Sequence, residues 1–231
     1  MRRSNSNEWI SISDMMAGLM MIFLLIAIAF MYQTDQEKKA IADIAVEFER
    51  SRNDLNQALR DEFRDDLPVW GAEILDDNTF RFNEPQVLFS RNSAEINDKF
   101  KLILNNFFPR YLTILSRDQF KSEIDEVRVE GHTSSDWRGT DSRQVAYIKN
   151  ARLSQNRSFS VLDYIHTMQA SDPHRDWLQK VLRANGLSSA KPIMSASGIE
   201  DVNRSRRVEF RVITKTEEKI YRILREAENL S

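Results

Sequence analysis

The chain has 231 residues, 41% of them apolar, a formal net charge of −2 and no cysteine. That length holds a membrane-spanning element plus one domain of ordinary size and excludes two large ones. The near-neutral charge gives no basis for direct nucleic-acid binding, which rests on clustered phosphate-neutralising cations, and the missing thiols exclude a disulfide framework or a thiolate metal site while remaining compatible with an oxidising compartment.

Residues 1–8 form a short N-terminal segment with Arg2 and Arg3. The next stretch, 9–32, reads WISISDMMAGLMMIFLLIAIAFMY and carries no charge after Asp14. As a helix its roughly 24 residues rise about 36 Å, enough to cross a hydrocarbon core of about 30 Å. Trp9 and Tyr32 stand at its ends, where aromatic rings favour the headgroup level. A cleaved signal peptide competes with this reading, since Ala27-Ile28-Ala29 resembles a cleavage site. The apolar run, however, exceeds the usual signal length, continues past that site and carries an acid near its start. The basic residues before the helix are nearly matched by Lys38 and Lys39 after it, so charge alone favours a cytoplasmic N-terminus only weakly.

Asp14 is the residue that composition does not explain, because a charged Asp at a helix centre costs about 2.5 to 3.5 kcal/mol on insertion scales. It has two readings. It caps the helix start or snorkels to the interface, or it carries an ion, since a carboxyl alternating between apolar and aqueous surroundings takes up and releases a proton. Ala17 and Gly18, one turn on, let another helix approach closely. A sodium site would want more oxygen ligands than this helix offers, so the expected ion is a proton.

Residues 33–67 are polar with Ile41, Ile44, Phe48, Leu55, Ala58 and Leu59 near helical spacing, a stripe too thin for a core of its own. The expectation is a helical linker that pairs with a copy of itself or lies on a partner, or else a solvated spacer. Pro68 and Gly71 then punctuate the chain. Residues 68–214 alternate strand and helix patterns: strands at TFRFN, VLFS, EVRVEGHT, PIMSASG and RRVEFRVI, helices over 94–115, 145–168 and 177–185. Residues 215–231 read as a terminal helix. The predicted class is α+β: one N-terminal membrane helix, a helical linker, then an α/β sandwich. The three histidines, His132, His166 and His174, are far apart and pair with no carboxylate at metal-ligand spacing, so no metal or other cofactor is expected. No nucleophile and base occur with supporting motifs, so an enzyme is not expected.

Several motifs in order resemble the OmpA-like peptidoglycan-binding domain: VLFSRNSAEI, VRVEGHTS, NARLSQNRSFSVLDYI, ANGL, ASGIED and NRSRRVEFRV. The resemblance covers about 130 residues and implies binding of a stem peptide, with the Arg157 guanidinium gripping its carboxylate in two parallel bonds. Asn150 would shape the loop. Ser134 stands where the family usually has the Asp that receives the stem-peptide amine, and Asp136 is expected to supply that charge instead. Of Arg206 and Arg207, one is expected to be structural and the other to support the loop or lie near ligand. His132 is expected to fix the loop.

Taken with Asp14, the whole chain is similar to MotB-type stator subunits, and closer to the stator-like subunits of Zorya anti-phage defence systems than to flagellar ones. That resemblance implies a homodimer in membrane lipid, a MotA-like multi-spanning partner of the ZorA type, protons carried by Asp14, and a periplasmic domain fixed to peptidoglycan. A flagellar stator subunit and a purely structural cell-wall tether are the alternatives.

Overall fold

The computed structural model describes residues 5–83, 88–90, 93–137 and 142–215. The chain divides into two compact units, one running through Glu47 and the other comprising Phe48–Thr216. The expected terminal helix at 215–231 lies almost wholly outside the described residues.

The first unit is helical. Helix α1 (Asn5–Phe63) begins there, and every side chain from Ile12 to Tyr32 is exposed. A continuous sleeve of Met, Leu, Ile and Phe with nothing of its own chain to bury against is what lipid or partner helices accept and water does not. It is the one helix among the described residues long and apolar enough to cross a membrane.

The second unit begins inside α1, which differs from the expected linker. Leu55, Leu59 and Phe63 are no more than 3% exposed and belong to the domain's own core, so this part of the thin stripe is covered from within the chain. Arg110 fastens it: its Nε donates to Glu62 (2.6 Å), its Nη1 to Asp66 (2.8 Å), and its guanidinium lies 4.7 Å from the centre of the Phe63 ring. A one-turn helix α2 (Leu67–Trp70) follows, with Pro68 in its first turn and Gly71 closing it at φ 60°, a conformation only glycine adopts without strain.

Strands β1 (Ala72–Ile74) and β2 (Phe80–Phe82), helices α3 (Asp98–Leu115) and α4 (Asp118–Lys121), strand β3 (Ile124–Gly131), helix α5 (Arg143–His166), helix α6 (Arg175–Val181), strand β4 (Leu182–Gly186), helix α7 (Val202–Ser205) and strand β5 (Val208–Thr214) complete the unit. The sheet order is β1-β2-β5-β3-β4, antiparallel except for the β3–β4 pair. Val127 and Val129 on β3 and Val208, Phe210 and Val212 on β5 alternate toward the helices, as period-two patterning requires. Phe107 on α3 sits at the centre of this face, with the rings of Phe63, Phe80, Phe82, Tyr111 and Phe210 all within 5.4 Å of its own.

Three helix–strand expectations change, the first at VLFS, where Phe89 makes only an isolated bridge to Ile96. The helix expected over 177–185 ends at Val181, and Leu182–Gly186 pairs in parallel with β3, Val127 opposite Leu182. Edge pairing satisfies backbone groups that a marginal extra helical turn would leave to water. The strand expected at PIMSASG is only a single bridge between Met194 and Glu200.

Candidate functional site

The candidate site lies where α5 crosses the end of the sheet. Ala146, Asn150, Ser154, Arg157, Ser158, Val161 and Ile165 form the buried face of α5. Its approach is close enough to demand glycine on both facing strands: a Cβ on Gly131 would stand 2.4 Å from the Ser154 carbonyl oxygen, and one on Gly186 2.3 Å from the Gln155 nitrogen. Gln155 closes the contact, its side chain donating to the Ala184 carbonyl and accepting from the Gly186 N–H. These contacts fix α5 in height, and with it Arg157.

Arg157 is only 7% exposed, yet no carboxylate among the described residues pairs with it. Its Nε donates to the Ser93 carbonyl (2.9 Å) and its guanidinium lies 4.9 Å from the centre of the Phe89 ring. Burial, reinforced by the neighbouring Arg206 cation, pushes it down to about 10, which leaves it charged at neutral pH. Arg206 is likewise without an acid among the described residues, its guanidinium donating to the Val202 carbonyl and to the Asn203 side chain. Two cations near each other, neither paired with an acid among the described residues, make this end of the sheet a receiver for an anion.

The loop after β3 brings the other sequence-predicted residues to the same end. His132 N–H bonds to the Arg207 carbonyl and Thr133 N–H to the Ser188 carbonyl, so the loop leaves the sheet beside Arg206 and Arg207. Ser134 is buried. Asp136 is exposed, and its carbonyl accepts from Asn150 Nδ2 at 3.5 Å, which ties the loop to α5. Glu200 is a member of this group that the sequence reading gave no role: its carboxylate accepts from the Ser135 N–H and hydroxyl. The signal was present only as its place in ASGIED.

Below the loop, the sheet's polar face carries a row of charges in register: Glu73, Arg81, Glu209 and Glu130 across β1, β2, β5 and β3. Arg81 Nε (2.7 Å) and Arg207 Nε (2.6 Å) both donate to Glu209 Oε1, and His132 Nε2 stands 3.2 Å from Glu209 Oε2 and 3.8 Å from Glu130. The expectation that no histidine meets carboxylates at such spacing is therefore corrected: the β3–β5 register puts Glu209, far away in sequence, beside His132. Glu130, His132 and Glu209 offer ligating atoms within 4.8 Å of one another. Two guanidiniums already occupy Glu209, which balances the charge a metal would need to find. Arg207 is thus the structural one of the two adjacent arginines.

Burial holds the His132 imidazole below its ordinary value, outweighing the pull of Glu209, and neither ring nitrogen makes a well-aligned hydrogen bond. Burial would raise the Glu209 carboxyl, but the His132 ring 3.2 Å away and the hydrogen-bonded Arg207 guanidinium together hold it well below the carboxylate range. Both shifts act in one direction. The unfolded chain takes up protons at these groups before the folded one does, so stability is full above about pH 6.5 and falls as pH drops, first through His132 and below about 4.5 through Glu209. The expected result is a melting temperature that declines from pH 7.5 to pH 4, with His132→Gln flattening the segment between pH 7 and 5, read by circular dichroism.

No protein-family model matches the chain. A MotB-like protein from Desulfovibrio vulgaris has the same fold, with a TM-score of 0.50 at 23% identity over 71% of this chain and 94% of that one. The cell wall anchor of the type VI secretion system of Pseudomonas aeruginosa aligns over 68% of this chain and 96% of its own with a TM-score of 0.46 and 25% identity. The fold class is thus that of a MotB-like α/β domain, following an N-terminal apolar helix in the chain. Within that class, the Zorya protein ZorB of Escherichia coli (strain ATCC 8739) is 46% identical over 228 residues, 97% of this chain and 96% of that protein. The chain belongs to the ZorB family.

Proposed function

We propose that this chain is the peptidoglycan-anchored subunit of a proton-driven rotary motor in the inner membrane, serving anti-phage defence. The observation that carries the motor reading is Asp14, an exposed carboxylate on a fully exposed apolar helix, with no partner among the described residues. A lone helix offers no conducting path, so the reading requires a second copy and a multi-spanning MotA-like partner around Asp14. Arg157, which pairs with no acid among the described residues, supports the anchoring half, since a buried guanidinium at this end of the fold suits a stem-peptide carboxylate.

In this arrangement residues 1–8 are cytoplasmic, 9–32 span the membrane, and the α/β domain stands in the periplasm, where peptidoglycan lies. The wall holds the subunit still while protons pass Asp14 and the partner ring turns. Arg157, Arg206, Asn150 and the loop of Ser134 and Asp136 form the wall-facing site. Co-sedimentation of the detergent-solubilised full chain with purified sacculi tests the anchoring. Recovery in the pellet is expected, and a chain that stays in the supernatant would remove the anchored-stator reading. A flagellar stator of the same design would restore swimming to a stator-deficient strain, which this chain is not expected to do.

A further inference from the structure

Resting on the wall-binding reading above, we infer that Glu200, and not Asp136, receives the ammonium group of the bound stem peptide. Ser134 is buried and uncharged, so the start of the loop supplies no acid. Asp136 is exposed, and the one contact described for it is made by its backbone carbonyl, to Asn150. Glu200 alone is fixed: the Ser135 N–H approaches its two carboxylate oxygens at 3.1 and 3.3 Å and the Ser135 hydroxyl donates to one of them. It makes no ion pair among the described residues, although Arg204, Arg206 and Arg207 follow within a few positions.

Among the described residues the site therefore holds a positioned acid without a counter-cation and two cations, Arg157 and Arg206, without a counter-anion. Asn150, which ties the loop, and Arg157 are seven residues apart on the same buried face of α5, about 10 Å along the helix. An acid and a pair of guanidiniums that do not neutralise each other are complementary to a zwitterion, with carboxylate toward the arginines and ammonium toward Glu200. The free amino-acid end of a stem peptide has that chemistry. Anchoring Glu200 through Ser135 also accounts for a loop that functions without an acid at position 134.

The test is co-sedimentation of the full chain with native sacculi and with sacculi whose free amines have been acetylated. Wild type is expected to lose about tenfold in affinity on acetylation, the range of one charge-assisted contact. Glu200→Gln is expected to bind native sacculi about tenfold more weakly and to be indifferent to acetylation. Asp136→Asn is expected to keep wild type's tenfold loss on acetylation. Ser135→Ala, which keeps the carboxylate but loosens it, is expected to remain sensitive to acetylation. A Glu200→Gln chain that binds like wild type, or that binds weakly yet still loses tenfold on acetylation, would overturn the inference while leaving wall binding intact. Failure of wild type to bind native sacculi would overturn the wall-binding reading itself, and this inference with it.

Discussion

Arg157→Ala is expected to weaken binding to sacculi by about 30-fold or more while leaving the domain folded. Truncating one partner of a desolvated, hydrogen-bonded charge pair costs about 2 to 5 kcal/mol, and about 1.4 kcal/mol is tenfold. The fold behaves differently. In the free protein this guanidinium is buried with no carboxylate beside it among the described residues, where the Ser93 carbonyl and the Phe89 ring are the contacts that offset its desolvation. Removing it sacrifices one charge-assisted hydrogen bond and one cation–π contact but relieves a buried charge, and the net change in stability is expected to stay within about 2 kcal/mol. Arg157→Lys keeps the charge and loses the planar fork, so intermediate binding is expected. Sedimentation isotherms beside thermal melts separate the two effects. A variant that binds normally, or one that loses binding only because it unfolds, would contradict the assignment.

Much of this was legible from local pattern. Alternation at Val127 and Val129, and at Val208, Phe210 and Val212, announces strands because one face must be buried. The uncharged run after Asp14 announces a helix long and apolar enough to cross a membrane, because lipid or partner helices accept such a surface and water does not. What escaped the sequence depends on register and on distant partners. Leu182–Gly186 has helix-compatible residues, and only the exposed edge of β3 makes it a strand. Leu55, Leu59 and Phe63 look like a coil stripe until the domain core is there to receive them. The His132–Glu209 contact exists because β3 and β5 are paired in one particular register, and Glu200 enters the site through Ser135, a partner 65 residues away. Arg157 was picked out by its motif, but its burial against the Phe89 ring with no acid paired to it among the described residues belongs to the fold alone.

Asp14→Asn is expected to abolish function without affecting assembly. The substitution keeps size, removes only the ionisable carboxyl, and makes insertion easier. A proton moving through 100 mV releases about 2.3 kcal/mol, comparable to the cost of holding the charged acid in the membrane, so a carboxyl here can be loaded and discharged by the membrane potential. An inert capping or snorkelling residue would tolerate the change, because asparagine caps helices as well as aspartate does. Asp14→Glu, one methylene longer, is expected to retain partial activity. The decisive measurement is the plating efficiency of phage on a sensitive bacterial host carrying the native gene cluster, comparing wild type with Asp14→Asn at verified equal membrane abundance. Protection by wild type and none by the variant is the predicted result; equal protection by both would show that the carboxylate is dispensable and the chain a tether, not a motor subunit.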